Sequence, residues 1–136
     1  MLRVLFLITV LVSVTKAFLP PVPCPEVFTY KLERGEYYGE IRIPYDGSHN
    51  FKVEAKFSVV GTYKNLNPGI HRLTSSDQLR QNAPNVHFKI DFPRLPYIPR
   101  ITNVVFNEQI FCSGPSEIVT SRGVTNFGVG LTYQSS

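Results

Sequence analysis

The chain has little of what catalytic and metal centres are usually built from, with three histidines and two cysteines in 136 residues. His49, His71 and His87 fall in a turn, in a loop and on the polar side of an alternating segment, with no two at metal-ligand spacing. Each reads as a solvated side chain. No Gly-x-Ser-x-Gly elbow, phosphate-cradling glycine loop or His-Glu-x-x-His run occurs. Glu33, Glu36 and Glu40 are close in sequence, but they flank a turn and a strand rim, where carboxylates ordinarily face water. These absences leave no catalytic residue, no metal ligand and no cofactor to assign, and the chain as given does not read as an enzyme.

Long apolar runs are also scarce. The one run of note lies at the start, where Met1-Leu2-Arg3 leads into an apolar stretch from Val4 to Val14, closed by Thr15-Lys16-Ala17. A positive lead, an apolar middle and a small residue at the cut describe a secretory signal peptide over residues 1–17, cleaved after Ala17. The run is about half the ~20 residues that a membrane-spanning helix needs, and no later segment approaches that length. The expectation is a secreted, extracellular protein with no membrane span.

Charge of one sign is modest as well. The formal net charge is +4, and losing Arg3 and Lys16 with the signal leaves 12 basic against 10 acidic side chains. So small an excess does not argue for a nucleic-acid partner. It is uneven, however: between Gly61 and Arg100 lie Lys64, Arg72, Arg80, Lys89, Arg94 and Arg100 against only Asp77 and Asp91. Converging on one face, these six would suit a sulfated glycan or an acidic protein surface; dispersed, they simply keep loops soluble. The two cysteines, Cys24 and Cys112, are expected to pair in an oxidising compartment, the alternative being a free or intermolecular thiol.

What the chain does have is alternation. After a proline-stiffened lead-in at residues 18–23, Val27 to Leu32 places Phe28, Tyr30 and Leu32 on one face, and Glu33 to Glu36 reads as a turn. Tyr37 to Ile43 follows, with Gly39 where a bulge or a close crossing would fit. From Phe51 to Val59, apolar residues alternate strictly with Lys52, Glu54, Lys56 and Ser58, a half-buried strand. Val86, Phe88, Ile90 and Phe92 repeat the pattern. Between them, a short strand is expected at Ile70 to Leu73 and a helical turn near Ser75 to Leu79, capped by Ser75 or Ser76. The proline-rich run from Arg94 to Pro99 cannot lie in a central strand and should carry the chain between sheets. Ile101 to Phe106 and Gln109 to Cys112 read as a hairpin across Asn107-Glu108, and Phe127 to Tyr133 as a last strand. Seven or eight short antiparallel strands with one buried face each predict a single all-β sandwich over residues 24–136, with one disulfide.

Particular residues add a family. Cys24-Pro25-Glu26-Val27-Phe28-x-Tyr30 and Gly35-Glu36-Tyr37-Tyr38-Gly39-Glu40-Ile41 resemble the start of the amino-terminal domain of insect serine proteases of the gastrulation-defective type. Phe92-Pro93, Leu95-Pro96, Ile98-Pro99, Ile101-Thr102-x-Val104 and Phe106-Asn107-Glu108-Gln109-Ile110-Phe111-Cys112-Ser113-Gly114 resemble its second half. The resemblance implies an accessory domain that precedes a trypsin-like domain in secreted zymogens of extracellular cascades. Its two motif cysteines are Cys24 and Cys112. The catalytic histidine, aspartate and serine segments are missing from this sequence, so the expected role is a noncatalytic interaction or regulatory module, whose partner is a protease or another cascade component. The alternatives are a lipid- or glycan-binding β-sandwich and the amino-terminal fragment of a zymogen.

Overall fold

The computed structural model describes residues 19–135, so the expected signal peptide and its cleavage after Ala17 lie outside the described residues. Among these residues the order of elements is β1 (Phe28–Glu33), β2 (Glu36–Pro44), β3 (Asn50–Val60), β4 (Gly69–Arg72), α1 (Ser76–Arg80), β5 (Asn85–Asp91), β6 (Arg100–Phe106), β7 (Gln109–Ser113) and β8 (Val124–Gln134). Two four-stranded sheets form, with strand orders β1-β2-β5-β4 (sheet I) and β7-β6-β3-β8 (sheet II). Every pairing is antiparallel. The all-β sandwich expected from the alternation is the fold observed, and the proline-rich run does carry the chain from β5 in sheet I to β6 in sheet II.

Local sequence explains the hairpins. Arg34 and Gly35 have φ of 52° and 79°, the paired positive values of a type I′ turn, whose twist matches that of the flanking strands. Asn107 and Glu108 repeat this geometry at 48° and 69° between β6 and β7. Asn107 tolerates it best, and its side-chain oxygen accepts a hydrogen bond from the Lys52 backbone N–H at 3.0 Å. Gly39 answers a close crossing rather than a bulge: a Cβ there would sit 2.6 Å from Cε2 of Phe28.

The inner faces supply the core. Phe51, Val53, Ala55, Phe57 and Val59 of β3 are all buried, facing Ile41 and Ile43 of β2 and Val86, Phe88 and Ile90 of β5. Full burial of one such phenylalanine or branched aliphatic side chain contributes about 1.5–3 kcal/mol. The rings interlock, Phe57 standing edge-on to Phe28 at 5.9 Å and stacking on Phe127 of β8 at 5.5 Å. Phe51 likewise stacks on Tyr133 at 4.8 Å.

Three details depart from simple alternation. Ser58, expected on the wet face, is fully buried, because the β7–β8 connection lies over it and the Glu117 N–H donates to its hydroxyl at 2.9 Å. Leu32, expected to share the buried face of Phe28 and Tyr30, is 58% exposed. Finally, β6 slips by one residue against β3 between Lys56 and Phe57, which lets Ile101 and Val104 both face inward although three positions apart. A second slip opposite Val104 and Val105 turns Cys112 inward.

Candidate functional site

Cys24 and Cys112 are bonded, with Cα atoms 5.7 Å apart, a separation that suits a disulfide. Cys24 precedes β1 in sheet I and Cys112 lies in β7 of sheet II, so the bond clamps the two sheets along one flank. Its position is structural, away from any hollow with convergent polar groups.

The six basic residues singled out from the sequence are spread over the molecule. Lys64 is exposed in the β3–β4 connection. Arg72 ends β4, with its guanidinium 4.3 Å over the Tyr133 ring and hydrogen bonds to the Thr74 carbonyl at 2.8 Å and the Ser76 hydroxyl at 3.0 Å. Arg80 pairs with Asp77 within α1. Lys89, on the outer face of β5, lies 3.6 Å from Glu33, 3.9 Å from Asp91 and 4.7 Å over the Tyr38 ring. Arg94 is almost wholly exposed beside Glu36, and Arg100 opens β6 in the other sheet, bonded to Glu117 at 3.1 Å. Four of the six thus have a carboxylate partner, and no two are brought into contact by these interactions.

What sequence reading did not bring out is a pairing of histidines with carboxylates on the outer face of sheet I. Glu40 of β2 accepts from Lys31 of β1 at 2.6 Å and meets Nδ1 of His87 of β5 at 3.2 Å. One strand further on, Nε2 of His71 lies 2.7 Å from Asp91. Burial alone would raise the Glu40 carboxyl, but the hydrogen bonds and charges of Lys31 and His87 together hold it below its ordinary value. The Lys31 ammonium is correspondingly raised by its hydrogen bond to Glu40. The alternation placed Lys31, His87 and Asp91 on the wet faces of their strands. Their partners depended on register, with Glu40 opposite Lys89 and Arg42 opposite His87, and register is not written in the alternation.

Beside this network α1 leans over the start of β5. Ser75 is its N-cap, accepting from the Gln78 N–H at 3.1 Å while Gln78 Oε1 accepts from the Ser75 N–H at 2.8 Å, a closed capping box. Leu79 anchors the helix in the core. Between the helix and the sheet lies a hollow of about 580 Å³ lined by Glu40, His87, Leu73, Gln78, Gln81 and Asn85, among others. A second groove, of about 430 Å³, runs along the proline-rich crossing with Tyr37, Phe92 and Tyr97 in its walls. Among the described residues no group of three or more histidine, cysteine, aspartate or glutamate side chains is arranged to hold a metal ion, and no helix is long and apolar enough to cross a membrane.

With this geometry in place, comparison with known proteins gives a consistent answer. A family model described as the serine protease gd N-terminus matches residues 22–122. A curated Drosophila melanogaster protein, "Serine protease gd", is 32% identical over 119 residues, covering 82% of this chain and 22% of the relative. The chain therefore spans about a fifth of the length of the relative it matches. No solved structure matches the chain.

Proposed function

Since the chain belongs to the family of serine protease gd N-terminal domains, we propose that it is a secreted, noncatalytic module that docks on or regulates a protease of an extracellular proteolytic cascade. The observation that carries this reading is the match over residues 22–122, which takes in both cysteines and the proline-rich crossing. The relative is named a serine protease, and the aligned part is 22% of it. A module of this kind acts by presenting a surface, and a rigid disulfide-clamped sandwich with a charged face on sheet I is suited to that. The export signal read at residues 1–17 and the oxidised cysteine pair agree with an extracellular site of action.

Affinity capture from extracellular fluid, with residues 18–136 as bait, tests the proposal. Specific enrichment of a serine protease, or of a substrate of one, is the expected result. Enrichment that is unchanged when an unrelated disulfide-bonded sandwich replaces the bait would overturn it.

The same proportion of 22% favours one other reading, that these residues are the amino-terminal part of a zymogen. Transcript sequencing beyond Ser136 separates the two. A reading frame continuing into a Gly-Asp-Ser-Gly segment establishes the zymogen, and a stop codon directly after Ser136 establishes the free module.

A further inference from the structure

The hollow between α1 and the outer face of sheet I has a lining that its structural neighbours do not use up. Gln81, Asn82 and Asn85 contribute amide side chains with no hydrogen-bond partner among the described residues, and Gln78 keeps its amide NH₂ free while its oxygen closes the capping box. Each free amide offers a donor pair and an acceptor. His87 spends Nδ1 on Glu40 and has Nε2 left over. Leu73 stands at the rim, 50% exposed.

Charge narrows the choice of ligand. No lysine or arginine lines the hollow, and its one carboxylate, Glu40, is already answered by Lys31 and His87. An anion has no cation to meet there, and a cation meets a carboxylate already engaged. The density of amides is equally wrong for an acyl chain, which would leave them desolvated and unpaired. Groups that donate and accept in turn, with an apolar patch alongside, match a ring carrying hydroxyls on its edge and C–H groups on its face. The volume of about 580 Å³ falls in the range of small-ligand sites.

Part of the backbone around the hollow is also fixed before any ligand arrives. The Leu73 N–H donates to the His87 carbonyl at 2.8 Å, and the His87 N–H donates to the Thr74 hydroxyl at 2.9 Å. The Tyr45 N–H donates to the Pro84 carbonyl at 3.0 Å, while Arg72 ties the Thr74 carbonyl to the Ser76 hydroxyl. Such fixing lowers the ordering cost of binding.

We propose that this hollow binds a neutral saccharide unit, with the free amides of Gln81 and Asn85 and Nε2 of His87 meeting its hydroxyls and Leu73 its C–H face. The proposal stands whether or not the domain regulates a protease. The test presents the purified chain to an array of neutral oligosaccharides ending in glucose, galactose, mannose or N-acetylhexosamine, alongside their sulfated counterparts. Hits are then titrated by NMR on the His87 imidazole and Leu73 methyl signals.

At least one neutral sugar should bind saturably and move both sets of signals. Gln81→Ala with Asn85→Ala should weaken it about tenfold or more, and Leu73→Ala by about fivefold, with melting temperatures unchanged. Lys64→Ala, in a different loop, should leave binding as it was. Competition by the free methyl glycoside against a glycoprotein carrying the same terminal sugar distinguishes a free from a protein-borne source. The proposal is overturned if no neutral sugar binds, if only sulfated sugars do, or if the hollow variants bind as well as the parent.

Discussion

On the flank where β1 lies against β7, the sheets are joined by the Cys24–Cys112 disulfide and by the Tyr30 hydroxyl, which donates to the Pro99 carbonyl at 2.6 Å and accepts from the Ile101 N–H at 3.3 Å. On the flank where β4 lies against β8, no covalent link exists among the described residues. There Arg72 of β4 stacks on Tyr133 of β8. The first flank lies wholly within the segment that the family model matches. The second depends on β8, Val124–Gln134, which begins beyond residue 122.

The contrast shows that the sandwich runs past the matched segment. β8 pairs with β3 along all eleven of its residues, and Phe127, Val129, Leu131 and Tyr133 pack against the buried cluster. It is as much a part of sheet II as β6, although the family pattern stops short of it. A match that ends early describes the motif-bearing flank and omits the strand that closes the other.

The largest effect should come from removing that strand. Ending the chain at Gly123 would expose the inner rings of β3 and the hydrogen-bonding edge of an eleven-residue strand, and the fold should be lost, read as collapse of NMR amide dispersion. Opening the other flank should cost less. Replacing Cys24 and Cys112 together by alanine removes a closure 88 residues apart and should lower unfolding stability by about 2–5 kcal/mol in urea titration, leaving a folded domain.

A smaller change probes the open flank alone. Arg72→Ala deletes the stacking on Tyr133 and two hydrogen bonds, for about 1–2 kcal/mol, and Arg72→Lys should recover less than half because an ammonium lacks the flat guanidinium fork. The smallest effect belongs to the outer face between the flanks. Glu40→Gln should lower the melting temperature by roughly 2 °C at neutral pH. Since the folded-state pKa of Glu40 is lowered, its contribution is present above the unfolded value. It is lost as pH falls through the folded one, so the parent and the variant should melt alike in strong acid.

Much of this organisation was legible in the sequence because it is local. Strict alternation marked β3 and β5, the Glu33–Glu36 turn and Asn107-Glu108 marked two hairpins, and a serine N-cap at Ser75 or Ser76 marked the short helix. The cysteine pair followed from compartment and count. What was not legible is non-local. Two register slips decide that Ile101 and Cys112 face inward, and a loop about sixty residues away buries Ser58. The Glu40–His87 and His71–Asp91 pairs arise only when β2, β5 and β4 are set in register. The hollow was harder still, since its amides come from α1, its following loop and the start of β5, none of which carries a motif.

Native-state hydrogen exchange on the oxidised chain tests the two-flank account most directly. β8 amides bonded to β3 should exchange only through global unfolding, with the same protection as those between β3 and β6. Rapid exchange along Val124–Gln134 while the β3–β6 pairing stays protected would contradict it, and would place the end of the domain before β8.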